Sequence, residues 1–132
     1  MTQPEEHRVS LETARQLRVA GFDVPTRHYF HDARGDGRRF DSLEGELDCD
    51  RNRFAHYVSR PTAQLAARWL RERHGLHVEP DFLGEKWFYS VWHLASSRAA
   101  KVDYSLHASY EEALEAGLVA ALRLISGMDK PE

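Results

Sequence analysis

Two pairs of histidines invite a metal-binding interpretation of this sequence. Eight histidines occur in 132 residues, and the pairs His28/His31 and His74/His77 both have the spacing His-x-x-His. His28 and His31 belong to a segment with strand character, and residues three apart on a strand point to opposite faces of a sheet. We therefore do not expect these two side chains to share an ion.

The second pair lies where a helix is predicted to end and a strand to begin. Glu79 and Asp81 follow His74 and His77 closely, so four candidate ligands are near this junction. No cysteine pair and no His-Glu-x-x-His motif accompanies them. Each histidine has an explanation that needs no ion. His74 complements the partial negative charge at the helix C-terminus, and His77 lies on a sheet face. We predict no metal, and a metal-assisted hydrolase is the third interpretation of function.

Asp103, Ser105 and His107 have the residue types of a nucleophilic triad. They alternate along one predicted strand and share one face. Alternate residues on a strand are ~6.6–6.8 Å apart, which exceeds the hydrogen-bond reach that a serine–histidine pair needs. The sequence therefore predicts no catalytic residues, and we expect the protein not to be an enzyme.

The segment 32–44, DARGDGRRFDSLE, has part of the pattern of a calcium-binding loop. With Asp32 at the first position, Arg34 occupies the third, where a carboxylate or an amide is needed, and Leu43 occupies the twelfth, where a bidentate glutamate belongs. The Gly-Lys-Ser/Thr ending of a phosphate-binding loop is also absent. We interpret the segment as a hairpin turn.

The composition is that of one globular domain with no strong charge. The formal net charge is −3 at pH 7, which argues against a polyanion as the main partner. Cys49 is the single cysteine, so no intrachain disulfide forms and a reducing compartment is expected. The polar N-terminal residues predict no signal peptide, and no apolar run of ~20 residues occurs in the sequence. The sequence predicts a cytoplasmic protein without a membrane partner.

Three segments have helical periodicity. The clearest, 109–126, begins with a capping box of Ser109 and Glu112 and carries one apolar stripe. Gly117 lies inside that stripe, where it would admit a close approach of another element. The segments 61–74 and 10–21 have shorter stripes with cap residues at their ends.

Strand patterns fill most of the remaining chain. They cover residues 27–32, 76–80, 86–94 and 100–108. Residues 41–58 are polar with weak periodicity, and we interpret them as a long connection in which short strands can occur. The predicted fold is α+β: a three-stranded, largely antiparallel sheet with two helices on one face, preceded by an N-terminal helix and strand. We predict one domain over residues 1–132, with 8–58 preceding an α-β-β-β-α unit at 59–127.

The strand at 86–94 is apolar on both faces. Trp87, Tyr89 and Val91 point one way, whereas Phe88 and Trp92 point the other. We expect the first face to pack on the helices and the N-terminal segment 8–32 to cover part of the second. The residues predicted to join the first face in one core are Trp69, Leu70, Leu114, Leu118, Ala121 and Leu122.

The α-β-β-β-α order is that of double-stranded-RNA-binding domains. Those domains place a lysine-rich turn at the start of their last helix, but here that turn reads HASYEEALE and is acidic. Nucleic acid is therefore not the partner that the sequence predicts. A nucleic-acid or nucleotide binder is nevertheless the second interpretation, and it would use Arg68, Arg71, Arg73 and the arginines of the 34–39 loop.

Three stretches together are similar to a family of small proteins encoded in phages, prophages and other mobile elements of Bacteroidetes-type bacteria. They are SLETARQLRVAGFDVPTRHYF, RPTAQLAARWLRERHGLHVE and SYEEALEAGLVAALRLI. The resemblance covers residues 10–32, 59–79 and 109–125. That family has no assigned activity, so the resemblance implies no site residue. It implies an accessory role on a mobile element, such as host modulation or anti-defence.

The function predicted from the sequence is non-enzymatic binding, to a protein partner or to a second copy as a homodimer. No cofactor is expected. The candidate partner-binding residues are Phe88, Trp92, Arg68, Arg71 and Arg73.

Overall fold

A computed structural model describes residues 7–127 as an α+β fold with two three-stranded antiparallel sheets. Among these residues the helices are α1 Leu11–Val19, α2 Ala63–His74 and α3 Tyr110–Ser126. The strands are β1 Thr26–Asp32, β2 Phe40–Cys49, β3 Tyr57–Ser59, β4 Leu76–Leu83, β5 Lys86–His93 and β6 Arg98–His107, and a short 3-10 helix spans Arg51–Arg53. The predicted α+β class is confirmed.

The chain forms two compact units, Met1–Thr62 and Ala63–Glu132. The first contains α1, β1, β2 and β3, and the second contains α2, β4, β5, β6 and α3. The sequence predicts one domain that consists of an N-terminal part, 8–58, and an α-β-β-β-α part, 59–127. That these two parts make up a single domain stays a prediction.

In the first unit the strand order is β2-β1-β3, with both pairs antiparallel. Helix α1 begins after Ser10, whose hydroxyl accepts a hydrogen bond from the Thr13 amide at 3.3 Å. The buried apolar side chains of this unit are Val9, Ala14, Leu17, Phe22, Phe30 and Val58.

The segment 41–58, predicted to be a long connection in which short strands can occur, contains more strand than that prediction gave it. Strand β2 is ten residues long, and β3 follows the 3-10 helix. β2 lies at the edge of its sheet and no residue in it is fully buried. Because neither face of β2 lies in a core, its sequence lacks the apolar alternation that marks a half-buried strand, and the backbone pairing with β1 defines it instead.

In the second unit the strands follow one another in the order β4-β5-β6, all antiparallel. Helix α3 has the predicted N-cap: the Ser109 hydroxyl accepts from the Glu112 amide at 3.1 Å, and the Glu112 carboxylate accepts from the Ala108 amide at 3.0 Å. The helix ends at Gly127, whose φ of 77° lies in the left-handed region that suits glycine.

Gly117 brings α3 close to the sheet. A Cβ added at this position would collide with the Val78 side chain and lie 3.3 Å from the Tyr89 ring. The predicted close approach is therefore confirmed, and it identifies the face of Val78 and Tyr89 as the one that α3 covers.

The predicted core of the second unit is confirmed except at one position. Tyr89 and Val91 are buried, as are the six helix residues expected to pack with them. Trp87 is only half-buried, because it lies near the β4–β5 turn, where its ring contacts the rings of Phe82 and Tyr110 edge-on.

Candidate functional site

The arginines predicted to bind a partner lie along α2 in the second unit. Arg68 donates to the Glu72 carboxylate at 3.0 Å, one helical turn away. Arg71 is half-buried and Arg73 is exposed in the last turn. Helix α2 packs on α3 and β4.

The two predicted aromatic residues lie on the other face of the sheet. Val91 pairs with Val78 beneath α3, so the alternate positions Phe88 and Trp92 point away from that helix. The Phe88 ring lies 5.1 Å from the Tyr104 ring. These aromatics and the α2 arginines therefore do not combine into one binding site.

Trp92 is held by a polar contact within its own strand. Its indole Nε1–H donates to the Ser90 hydroxyl at 2.8 Å, and the side chain is half-buried. Buried Trp N–H groups usually find such a partner. Trp92 is thus a fixed part of the sheet face, and we do not treat it as the centre of a contact surface.

Four large apolar side chains are exposed at the end of this sheet that contains the β4–β5 turn. Their exposed fractions are 64% for Phe82, 58% for Leu83, 68% for Tyr104 and 51% for Leu106. We call these four residues the end patch. By strand register Phe82 lies on the face of Trp87, whereas Leu83 lies on the opposite face, where Tyr104 contacts Phe88, so the end patch includes both faces at this end of the sheet. Several exposed large apolar side chains near one another on a folded protein typically mark an interaction site.

Strand pairing explains why the end patch is exposed. Trp87 pairs with His107 and Tyr89 pairs with Asp103, so β6 has two more residues than β5 between these two pairs. The extra length is a bulge that carries Tyr104 and Leu106 out of the regular ladder. Bulges of this type commonly lie at sheet edges, where they change the direction of side chains.

The border of the end patch is mainly acidic. Glu79 and Asp81 are exposed on β4, Glu85 is exposed in the β4–β5 turn, and Lys86 is the exposed basic residue next to it. Three carboxylates and one ammonium group therefore lie on β4, in the β4–β5 turn and at the start of β5, on the side of the end patch that carries Phe82 and Leu83. Such a border favours a partner whose own apolar surface is flanked by basic side chains.

Asp103 is committed to the local structure of β6. Its carboxylate accepts from the Ser105 amide at 2.8 Å and from the Tyr89 hydroxyl at 3.2 Å. The hydrogen bond from the Ser105 backbone is the main cause that lowers the pKa of Asp103, against a smaller opposing effect of burial. The carboxylate is thus used to fix the bulge.

Among residues 7–127, no three or more histidine, cysteine, aspartate or glutamate side chains form a group that could hold a metal ion. The structure therefore does not bring His74, His77, Glu79 and Asp81 together. The His74 ring contacts the Trp69 ring edge-on at 4.9 Å, whereas His77 pairs with Trp92 on the opposite sheet face.

His28 and His31 lie on opposite faces of β1, as predicted. His28 pairs with Glu44, whereas the His31 ring stacks on Tyr57 with centroids 4.6 Å apart. The Asp32 carboxylate accepts from the amides of Gly35 and Gly37 at 3.0 and 2.7 Å, which closes the predicted hairpin turn. The loop arginines Arg34, Arg38 and Arg39 are exposed in or beside this turn, and Arg39 lies 3.9 Å from Asp41.

The lowered pKa of His28 predicts that mild acid destabilises the first unit. Burial is the main cause that lowers the pKa of His28 from 6.5, and the positive charges of Arg8 and Arg60 lower it further. The carboxylate of Glu44, whose Oε2 lies 3.8 Å from the His28 Nε2, acts in the opposite direction and raises it. The unfolded chain therefore binds a proton at His28 more readily than the folded chain does. The contribution of neutral His28 to the free energy of unfolding is fully present above pH 6.5, and it is lost as the pH falls through the lower pKa that His28 has in the folded chain.

We expect His28→Gln to lose less stability than the unaltered chain when the pH is lowered from about 7 to about 5. Chemical unfolding followed by circular dichroism at several pH values measures the difference, and His56→Gln, at an exposed histidine of the same unit, is the control. A pH dependence unchanged by His28→Gln would contradict this assignment.

A cluster in the first unit was missed by the sequence interpretation. Arg51 lies with its guanidinium 4.2 Å from the centroid of the Tyr29 ring, and a Cβ at Gly45 would collide with that guanidinium. Tyr57 is next to Tyr29, with ring centroids 5.6 Å apart. Glycine inside a strand often marks such a close approach, and the Gly45 in LEGEL is the signal that could have indicated it.

The described part of the chain, residues 7–127, contains no helix of the length and apolar character that crossing a membrane requires. Comparison of the sequence with protein-family models and with curated proteins, and of the fold with solved structures, finds no match.

Proposed function

We propose that this protein is a non-enzymatic protein-binding module whose contact surface is the end patch. The observation that carries the proposal is the exposure of more than half of each of the side chains Phe82, Leu83, Tyr104 and Leu106 at one end of one sheet. A few residues supply most of the binding energy in protein interfaces, and tyrosine is among the residue types enriched at these positions. A binding role also agrees with the accessory role that the resemblance to mobile-element proteins implies.

The acidic border supports a particular kind of partner. Glu79, Asp81 and Glu85 would repel a second acidic border, so two copies joined through their end patches would place like charges together. A polypeptide with apolar side chains flanked by lysine or arginine meets both features of the surface. We therefore propose such a polypeptide, and not a second copy, as the partner.

Selection from a library of short random peptides tests this proposal. The unaltered chain is the bait, and a chain with all four end-patch residues replaced by threonine is used to remove peptides that bind elsewhere. We expect the retained peptides to combine aromatic or aliphatic residues with lysine or arginine, and their affinity to fall as salt is raised. Peptides that bind both baits equally, or a library that yields none, would overturn the proposal.

We also propose that α2, β4, β5, β6 and α3 share the topology of double-stranded-RNA-binding domains. The element order and the antiparallel sheet support this. RNA binding is not part of the proposal, because the first turn of α3 carries Glu111 and Glu112, both exposed, where those domains need cations.

Duplex RNA should accordingly bind no more tightly than the non-specific range of ~10⁻⁴–10⁻⁶ M at physiological salt. A gel-shift titration with duplexes of several lengths measures this. Submicromolar affinity that rises with duplex length would show that the chain uses this topology for RNA after all.

A further inference from the structure

A cavity in the first unit has the lining of a small anion-binding site. Its volume is about 230 Å³ and it is lined by Arg51, Phe54 and Tyr57. Sites for drug-sized ligands span ~300–1,000 Å³, so this one suits a single planar ring with one charged group. Phe54 is about half exposed, which leaves the cavity open to solvent.

The backbone around the cavity is fixed by hydrogen bonds. Arg18 donates to the carbonyl oxygens of Tyr57 at 2.7 Å and Phe54 at 3.2 Å. Asn52 donates to the Phe22 carbonyl at 3.0 Å and accepts from the Ser59 amide at 2.8 Å. The segment that lines the cavity is thus organised before any ligand arrives, which lowers the entropic cost of binding.

Positive charge at the cavity is not neutralised by ion pairs. Within the described residues neither Arg51 nor Arg53 has a carboxylate within ion-pair distance, whereas Arg27 of the same unit lies 3.6 Å from Asp48. The Arg51 Nε atom is buried and has no hydrogen-bond partner, whereas its Nη2 group donates to the Leu47 carbonyl at 3.4 Å. The guanidinium of Arg53 lies over the Phe54 ring, 5.5 Å from its centroid.

We propose that this cavity binds the phosphate and the base of a nucleoside monophosphate. A guanidinium presents several N–H donors in a plane and is well suited to phosphate oxygens. Two arginines without carboxylate partners match the charge of about −1.5 to −2 on a phosphomonoester at pH 7. The half-exposed Phe54 ring supplies a surface on which a base stacks, while the sugar remains in solvent. The Tyr57 ring, already stacked on His31, lines the cavity beside it.

This site lies outside the end patch and concerns a different ligand, so it stands independently of the proposed protein partner. The same chemistry, a base with a phosphate, is presented by a free nucleotide and by single-stranded nucleic acid. The site makes no use of the arginines on α2, and it differs from the RNA surface of a double-stranded-RNA-binding domain.

Isothermal titration of the full chain with adenosine, guanosine, cytidine and uridine monophosphates tests the proposal. The matched probes are the nucleosides without phosphate, ribose 5-phosphate and inorganic phosphate. We expect the monophosphates to bind more tightly than any of these probes. A short single-stranded oligonucleotide distinguishes the two sources. If the oligonucleotide binds no more tightly per site than the monophosphates do, the ligand is a free nucleotide; if it binds more tightly, the ligand is single-stranded nucleic acid. Saturation by inorganic phosphate alone with equal affinity, or no heat with any probe at millimolar concentration, would overturn the proposal.

Variants locate the binding to the cavity. Phe54→Ser should weaken nucleotide binding about 5- to 150-fold, the range that loss of one stacking side chain causes, and Arg53→Gln should weaken it less. Both residues are exposed, so neither change is expected to unfold the chain. Arg27→Gln, at an exposed arginine of the same unit, is the control and should leave the affinity unchanged. Equal binding by Phe54→Ser and the unaltered chain would place the ligand elsewhere and refute the site.

Discussion

Replacing Phe82, Leu83, Tyr104 and Leu106 together by threonine should reduce the affinity for a selected basic-apolar peptide about 100-fold or more. Removal of a single interface anchor commonly costs at least ~2 kcal/mol, and each ~1.4 kcal/mol is a factor of ten. Fluorescence anisotropy with a labelled peptide measures the loss. Threonine is β-branched and strands favour it, so the sheet should persist.

The matched control for this variant is Leu43→Thr with Leu47→Thr. Both leucines are exposed apolar residues of β2, in the first unit. The control removes exposed apolar surface without touching the end patch, and peptide affinity should not change. An equal loss in the control would mean that general hydrophobic adsorption, and not the end patch, explains the binding.

Leu118→Ala should lower the free energy of unfolding of the second unit by about 2–5 kcal/mol. Leu118 has no exposed surface, and it lies one position after Gly117, where α3 comes closest to the sheet. Truncation therefore leaves a cavity that the surrounding side chains cannot fill. All three tryptophans of the chain, Trp69, Trp87 and Trp92, lie in this unit, so tryptophan fluorescence during denaturant unfolding reports its stability.

Leu124→Ala is the control for that substitution. Leu124 is on the same helix but is only half-buried, so the same change of side chain should cost clearly less. A loss well below ~1 kcal/mol for Leu118→Ala, or equal losses for both variants, would show that α3 does not pack as described.

The helices were predictable because their signals are local. Ser10, Ser109 and Gly127 provide caps that depend only on nearby residues. Strand β2 was not predictable from its pattern, since it is an edge strand whose side chains are exposed on both faces. Its position is set by pairing with β1, which is a non-local property.

The candidate site was predictable only in part. The strand containing Phe88 was correctly predicted to carry apolar side chains on both faces, but the exposed surface is at the β4–β5 end and includes Tyr104 and Leu106. The β6 bulge contributes to the exposure of Tyr104 and Leu106, and it has no signature in the local sequence. Whether the segment 8–32 covers Phe88 and Trp92 stays a prediction.

Nuclear magnetic resonance of the ¹⁵N-labelled full chain, titrated with the selected peptide, tests the binding surface most directly. We predict that amide shifts concentrate in residues 79–88 and 103–107, around the end patch. Shifts that spare these residues and fall on α2, on the first unit, or on a surface common to two copies of the chain would contradict the assignment of the end patch as the site that binds a protein partner.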